Sequence, residues 1–185
     1  MPDDQIDKAV RLADAVHGIV FLDVQVGLSD LPTEIPLLEH YLAMPQVHLA
    51  IDPEFAMHHG SKPGSVVGTM DAQEINNTMQ YLAQLVQKHN LPPKLLVIHR
   101  FTRDMVTNYK KINPLPEVQV IMDMDGWGSP AKKTNTYNTI VAKEPVQFTG
   151  FKLFYKNDLR APSPRLLTPA EVLGLQPQPS YIQYQ

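Results

Sequence analysis

Six short apolar segments punctuate the chain, at 18–25, 47–55, 94–101, 118–126, 148–156 and 181–185. Most are continuous hydrophobic runs, such as KLLVIH, rather than polar and apolar residues in alternation. That pattern predicts strands of a parallel sheet covered on both faces. Between them, apolar residues recur at helical spacing. Ile75, Met79, Leu82 and Val86 share one face of the segment 71–90, and Asp71 followed by Glu74 gives the signature of a capping box at its start. Ile35, Leu38 and Leu42 mark a shorter helix, while Ser129-Pro130 and Thr168-Pro169 open helical segments over 129–144 and 168–175. Ile6, Val10, Ala13 and Val16 predict an amphipathic helix at the beginning. Strand and helix therefore alternate, which predicts right-handed βαβ units, an α/β fold and a single domain over 1–185.

Two architectures fit that alternation. A doubly wound open sheet commonly carries a glycine-rich phosphate loop after its first strand, but QVGLSD contains neither GxGxxG nor GxxxxGK[ST]. A parallel (β/α) barrel of TIM type gathers polar residues at the C-terminal ends of its strands. The chain does this repeatedly: Asp23-x-Gln25, Asp52-x-Glu54, His99-Arg100, Asp123-x-Asp125, Lys152 with Tyr155, and Gln183-x-Gln185. A spacing of two puts both members of a pair on one side of a strand. One such pair is ordinarily a helix cap or a solvated end, but their recurrence predicts a shared polar site. The expected fold is thus a (β/α) barrel, possibly partial with six strands.

Composition narrows the functions. The 185 residues are 43% hydrophobic and 19% charged, with a net charge of −3, so no broad basic field offers itself to nucleic acid or to an anionic membrane. Basic pairs such as Lys132-Lys133 are expected on solvated faces. Without cysteine there is no disulfide, thiolate metal site or thiol nucleophile. MPDDQIDKAV has no signal-peptide pattern, and no apolar run approaches the roughly 18 residues that span a bilayer. GxSxG is absent, so a serine nucleophile has little support.

The candidate chemistry rests on carboxylates. Glu54 is the expected general acid/base, with Asp125, Asp123 or Asp52 as its catalytic partner, because neighbouring acids can force their pKa values apart. Asp23, Gln25, His99, Arg100, Lys152 and Gln183 would position substrate, and Trp127 with Tyr155 could offer aromatic faces to a sugar ring. This reading requires no cofactor. In the alternative, Asp23, Asp52, Glu54, Asp123 and Asp125 supply hard oxygen ligands to Ca²⁺ or Mg²⁺, which would assist hydrolysis of an ester or lactone. His58-His59 add possible nitrogen donors. A third reading is a non-catalytic carbohydrate-binding or surface protein.

LDVQVG, IDPEF, LPPKLLVIHRF, MDMDG, FKLFYKND and YIQYQ resemble a group of bacterial hypothetical proteins and lipoproteins of unassigned function, whose look is that of glycoside hydrolase-like barrels. The resemblance covers nearly the whole chain and implies that it matches a late portion of a barrel, in proteins often carrying an export signal further upstream. It implies a carbohydrate or other small-molecule substrate, and open barrel edges that a homodimer could cover.

Overall fold

The computed structural model describes all residues except Met1, His59 and Pro164. Each of the six apolar segments forms a strand: β1 (Val20–Val24), β2 (Val47–Ile51), β4 (Lys94–Arg100), β6 (Val118–Met124), β7 (Phe148–Leu153) and β8 (Tyr181–Tyr184). They make one all-parallel sheet in the order β1-β2-β4-β6-β7-β8, so each strand lies beside the preceding one of the sheet in the chain. A further pair, β3 (Met70–Asp71) and β5 (Val106–Thr107), forms a separate two-stranded sheet. Two residues per strand leave no periodicity for a sequence to display.

The helices are α1 (Asp3–Asp14), α2 (Leu31–Glu34), α3 (Glu39–Leu42), α4 (Ala72–His89), α5 (Pro130–Thr136) and α6 (Pro169–Leu173). In α4, Asp71 accepts from the Gln73 N–H and Glu74 reaches back to the Asp71 N–H, so the start is capped as the sequence predicts. Around Ile35, Leu38 and Leu42 the helix breaks into α2, a 3₁₀ turn and α3. Pro32 and Pro36 supply no N–H to the helical ladder there. The segment opened by Ser129-Pro130 continues from α5 into a single π turn, Tyr137–Val141. No helix among the described residues is long and apolar enough to cross a membrane.

The two faces of the sheet differ. Alternate strand residues, including Leu22, Leu49, Ile51, Ile98, Val120, Met122 and Met124, pack with residues of α1, α2, α3, α4 and α6 into one large core. The intervening residues Ala50, Val97 and Ile121 form a smaller cluster on the opposite face, with Phe21, Leu95 and Tyr181 against it. Helices on one face, with strands in chain order, give a sheet wound in one direction, unlike a doubly wound sheet with helices on both faces. It curls into a half-barrel. The curl is tight enough that Phe21 of β1 and Tyr181 of β8, on opposite edges, meet edge to face with ring centroids 5.3 Å apart. The helix-free face is therefore concave, with an apolar layer across it.

Candidate active site

Above that apolar layer lies His99, only 1% exposed, on β4. Its neighbour in the parallel register is Asp123 of β6. Asp123 Oδ2 stands 3.1 Å from His99 Nδ1, and Asp23 Oδ2 of β1 stands 3.1 Å from Nε2. The imidazole thus bridges carboxylates from two other strands. Two residues along from Asp123, Asp125 places Oδ2 3.6 Å from His99 Nδ1 and Oδ1 3.1 Å from Lys152 Nζ of β7. Asp123 needs space for this arrangement. Its register partner on β7 is Gly150, where an added Cβ would stand 2.6 Å from Asp123 Oδ1 and 3.0 Å from the Tyr181 ring. Gly150→Ala is expected to cost about 1–3 kcal/mol through overpacking, measured by urea denaturation. An unchanged unfolding midpoint would mean that the buried carboxylate moves aside freely.

Asp52, directly after β2, holds the second part of the site. Gln25 Nε2 donates to its Oδ2 at 2.9 Å, and the Glu54 N–H donates to its Oδ1 at 3.0 Å. The second bond caps the 3₁₀ turn Pro53–Phe55, which carries Glu54. The Gly68 N–H donates to the Glu54 carbonyl at 2.7 Å, fixing the turn from its other side.

These groups open into a cleft of ≈ 620 Å³ at the C-terminal ends of the strands. Asp23, Asp52, Glu54 and Asp125 line it, as do Lys152, Gln25 and Gln183. Phe55, Phe101, Trp127 and Phe154 supply aromatic surface. Polar groups that can orient a ligand beside aromatic faces that can cover it are the usual constituents of a small-molecule site.

The cleft separates its acids by protonation. Burial alone would lower the His99 pKa, but hydrogen bonds to Asp123 and Asp23 and the charges of Asp123 and Asp125 outweigh it and hold it well above the ordinary histidine value. His99 is an imidazolium. Burial would raise Asp23, but its bond to His99 and the positive charges of His99 and Lys152 bring it below the usual carboxylate range. Asp52 is pushed up by burial and by the Asp23 charge, against the pull of His99. Glu54 rises through burial and the nearby Asp52. Burial pushes Asp125 up to about 6, with Asp123 adding to the rise and His99 and Lys152 opposing it.

Other predicted residues lie elsewhere. Arg100, expected to bind substrate, is adjacent to His99 and so points to the opposite face of the strand. It is buried against the Thr102, Arg103 and Val106 carbonyls and the Glu144 carboxylate, where it secures a loop. Tyr155 is 56% exposed and stacks on Tyr184, away from the cleft lining. Asp123, expected among the catalytic carboxylates, is fully buried and does not line the cleft. Lys133 does not lie on a solvated face: it is 1% exposed and paired with Asp158 at 3.0 Å.

Of the five predicted oxygen ligands, Asp123 and Asp125 gather with His99, and one donor atom from each lies within 4.8 Å of the others. Asp23 sits across the imidazole from this group, and Asp52 is committed to Gln25 and the Glu54 turn. As an imidazolium, His99 has no free lone pair, so binding a cation there requires loss of its proton. His58 lies apart, 3.3 Å from Glu74, and His59 is outside the described residues.

Trp127 was among the expected residues, but Phe55, Phe101 and Phe154 escaped the sequence reading although a signal for two of them existed. Phe101 and Phe154 stand two positions beyond His99 and Lys152, so the period of two that selected the carboxylates selects them as well. Comparison with models of protein families, with curated proteins and with solved structures found no match to this chain.

Proposed function

We propose that the chain is a glycoside hydrolase-like hydrolase on a partial TIM-type barrel, with Glu54 and Asp125 exchanging protons with substrate. The supporting observation is one cleft in which neighbouring carboxylates have opposed environments, bounded by aromatic surface. Glu54 delivers a proton to the glycosidic oxygen as the bond to the anomeric carbon breaks. Asp125 takes a proton from the water that adds to that carbon, and ionised Asp23 stabilises the positive charge developing on the sugar ring. His99 keeps Asp23 ionised and Lys152 orients Asp125.

The test is turnover of aryl glycosides and oligosaccharides. Glu54→Gln is expected to lower kcat by about a hundredfold, at the lower end of what a general acid contributes. Activity of the parent should fall as pH drops below about 6, because Asp125 must be ionised to accept a proton. The configuration of the released sugar, read by NMR, tells whether water attacks directly or a carboxylate attacks first. Full activity in Glu54→Gln would overturn the assignment.

A second reading, metal-assisted hydrolysis of an ester or lactone, draws on the grouping of His99, Asp123 and Asp125. The same assay separates the two. Carboxylate catalysis is indifferent to a chelator, whereas metal-assisted hydrolysis is lost on chelation and restored by one particular ion.

A further inference from the structure

The charges of the cleft are unevenly arranged. Its floor is acidic, and two of its cations are committed there, His99 between Asp23 and Asp123 and Lys152 against Asp125. Lys133, beside them, is committed to Asp158 and to the Gly126 carbonyl. The outer end differs. Lys132 Nζ lies 5.0 Å from the centroid of the Trp127 ring, and the Arg160 guanidinium lies 5.4 Å from the same ring. Both are exposed, and neither forms an ion pair with a carboxylate among the described residues. Gly128 lies beside the Lys132 stem, where an added Cβ would stand 2.7 Å from Lys132 Cδ. Trp127 itself is 46% exposed and, with Lys132, lines the cleft.

We propose that this end of the cleft binds an anionic substituent carried on the sugar, a carboxylate or a sulfate, between Lys132 and Arg160 beside the Trp127 ring. The inference rests on the carbohydrate reading of the site and names its substrate class, an acidic saccharide. An anion placed there meets Lys132 of the cleft lining and, just beyond that lining, Arg160, two cations with no carboxylate partner among the described residues. The same anion at the floor would face ionised Asp23. The cleft therefore orients its ligand, with the acidic substituent outward and the bond to be broken over the carboxylates.

Trp127 is the only tryptophan of the chain, so intrinsic fluorescence reports directly on this end. The experiment titrates the whole chain with three probes: a neutral galacto-oligosaccharide, an oligogalacturonate of the same length, and a sulfated galacto-oligosaccharide. An acidic probe is expected to change the Trp127 emission and to bind at least about tenfold more tightly than the neutral one, an advantage that shrinks as salt is raised. Whether the carboxylated or the sulfated probe binds more tightly identifies the anion. The exposed substitutions Lys132→Gln and Arg160→Gln together should remove the preference, the acidic probes losing more affinity than the neutral one. Equal affinity for neutral and acidic probes, no binding of any probe, or a preference that survives in the double variant overturns the proposal. Hydrolysis of neutral glycosides without an acidic preference would defeat this inference and leave the catalytic reading intact. Acidic binding at Trp127 without turnover of any glycoside would do the reverse.

Discussion

Replacing His99 with alanine is expected to destabilise the protein by about 3–5 kcal/mol at neutral pH, because removing one partner of a buried ion pair leaves the other charge uncompensated. Here the loss is shared by several carboxylates. Asp123 is fully buried and Asp125 nearly so, and both lie within 4 Å of His99 Nδ1, while Asp23 occupies Nε2. The pH dependence identifies the cause. In the parent, the raised pKa of His99 contributes stability that is fully present below the unfolded histidine value, near 6.5, and is lost as pH climbs through the folded value. In His99→Ala the stranded carboxylates can instead take up protons, so the deficit should narrow when urea denaturation is repeated near pH 4. Adding Asp123→Asn to His99→Ala should recover part of the loss at neutral pH by removing one of the unpaired charges. A deficit below about 1 kcal/mol, or one independent of pH, would contradict the role of His99 as the counterion that joins β1, β4 and β6.

Asp125→Asn is expected to act in the opposite direction on stability while removing the proposed proton acceptor. Asp125 holds its proton in the folded protein up to about 6, against a value of 3.8 for the free group. As pH rises between those values the unfolded chain ionises first, and the folded state loses stability until Asp125 ionises too. The difference corresponds to roughly 3 kcal/mol as an upper limit. Asparagine cannot ionise, so the variant should equal the parent near pH 4 and exceed it at pH 7.5 by up to that amount. Loss of the Lys152 contact reduces the gain. A catalytic group held against its preferred charge state is a known source of conflict between stability and activity. Greater stability with lost turnover would place Asp125 in that class, whereas lower stability at pH 7.5 would show that its ion pair with Lys152 outweighs its burial.

Much of the frame was legible because it rests on patterns that local sequence carries. Continuous apolar runs marked the six strands, and Asp71 with Glu74 marked the start of α4. The carboxylates were legible for a related reason. Met122 and Met124 had to face the helices, so Asp123 and Asp125 had to face away from them. The same alternation should have divided His99 from Arg100, since adjacent strand residues cannot share a face, and treating them together placed Arg100 wrongly. Tertiary structure hid the rest. Nothing near Lys133 in the chain announces that Asp158, in a 3₁₀ turn after β7, will accept its charge in the interior. Phe55 is reached only through a 3₁₀ turn, whose geometry depends on Asp52 capping it and Gly68 holding it. Likewise the His99 bridge to Asp23 joins residues far apart in sequence, through a curl of the sheet that periodicity does not encode.

The contact between Phe21 and Tyr181 also decides the shape of what the protein can hold. β1 and β8 are not neighbours in the sheet, so below the site the walls of the half-barrel meet through side chains rather than through a backbone ladder. A seam remains between the two edge strands. Edges joined by side chains can part without breaking any backbone hydrogen bond, so the width of the half-barrel depends on that packing rather than on the sheet ladder.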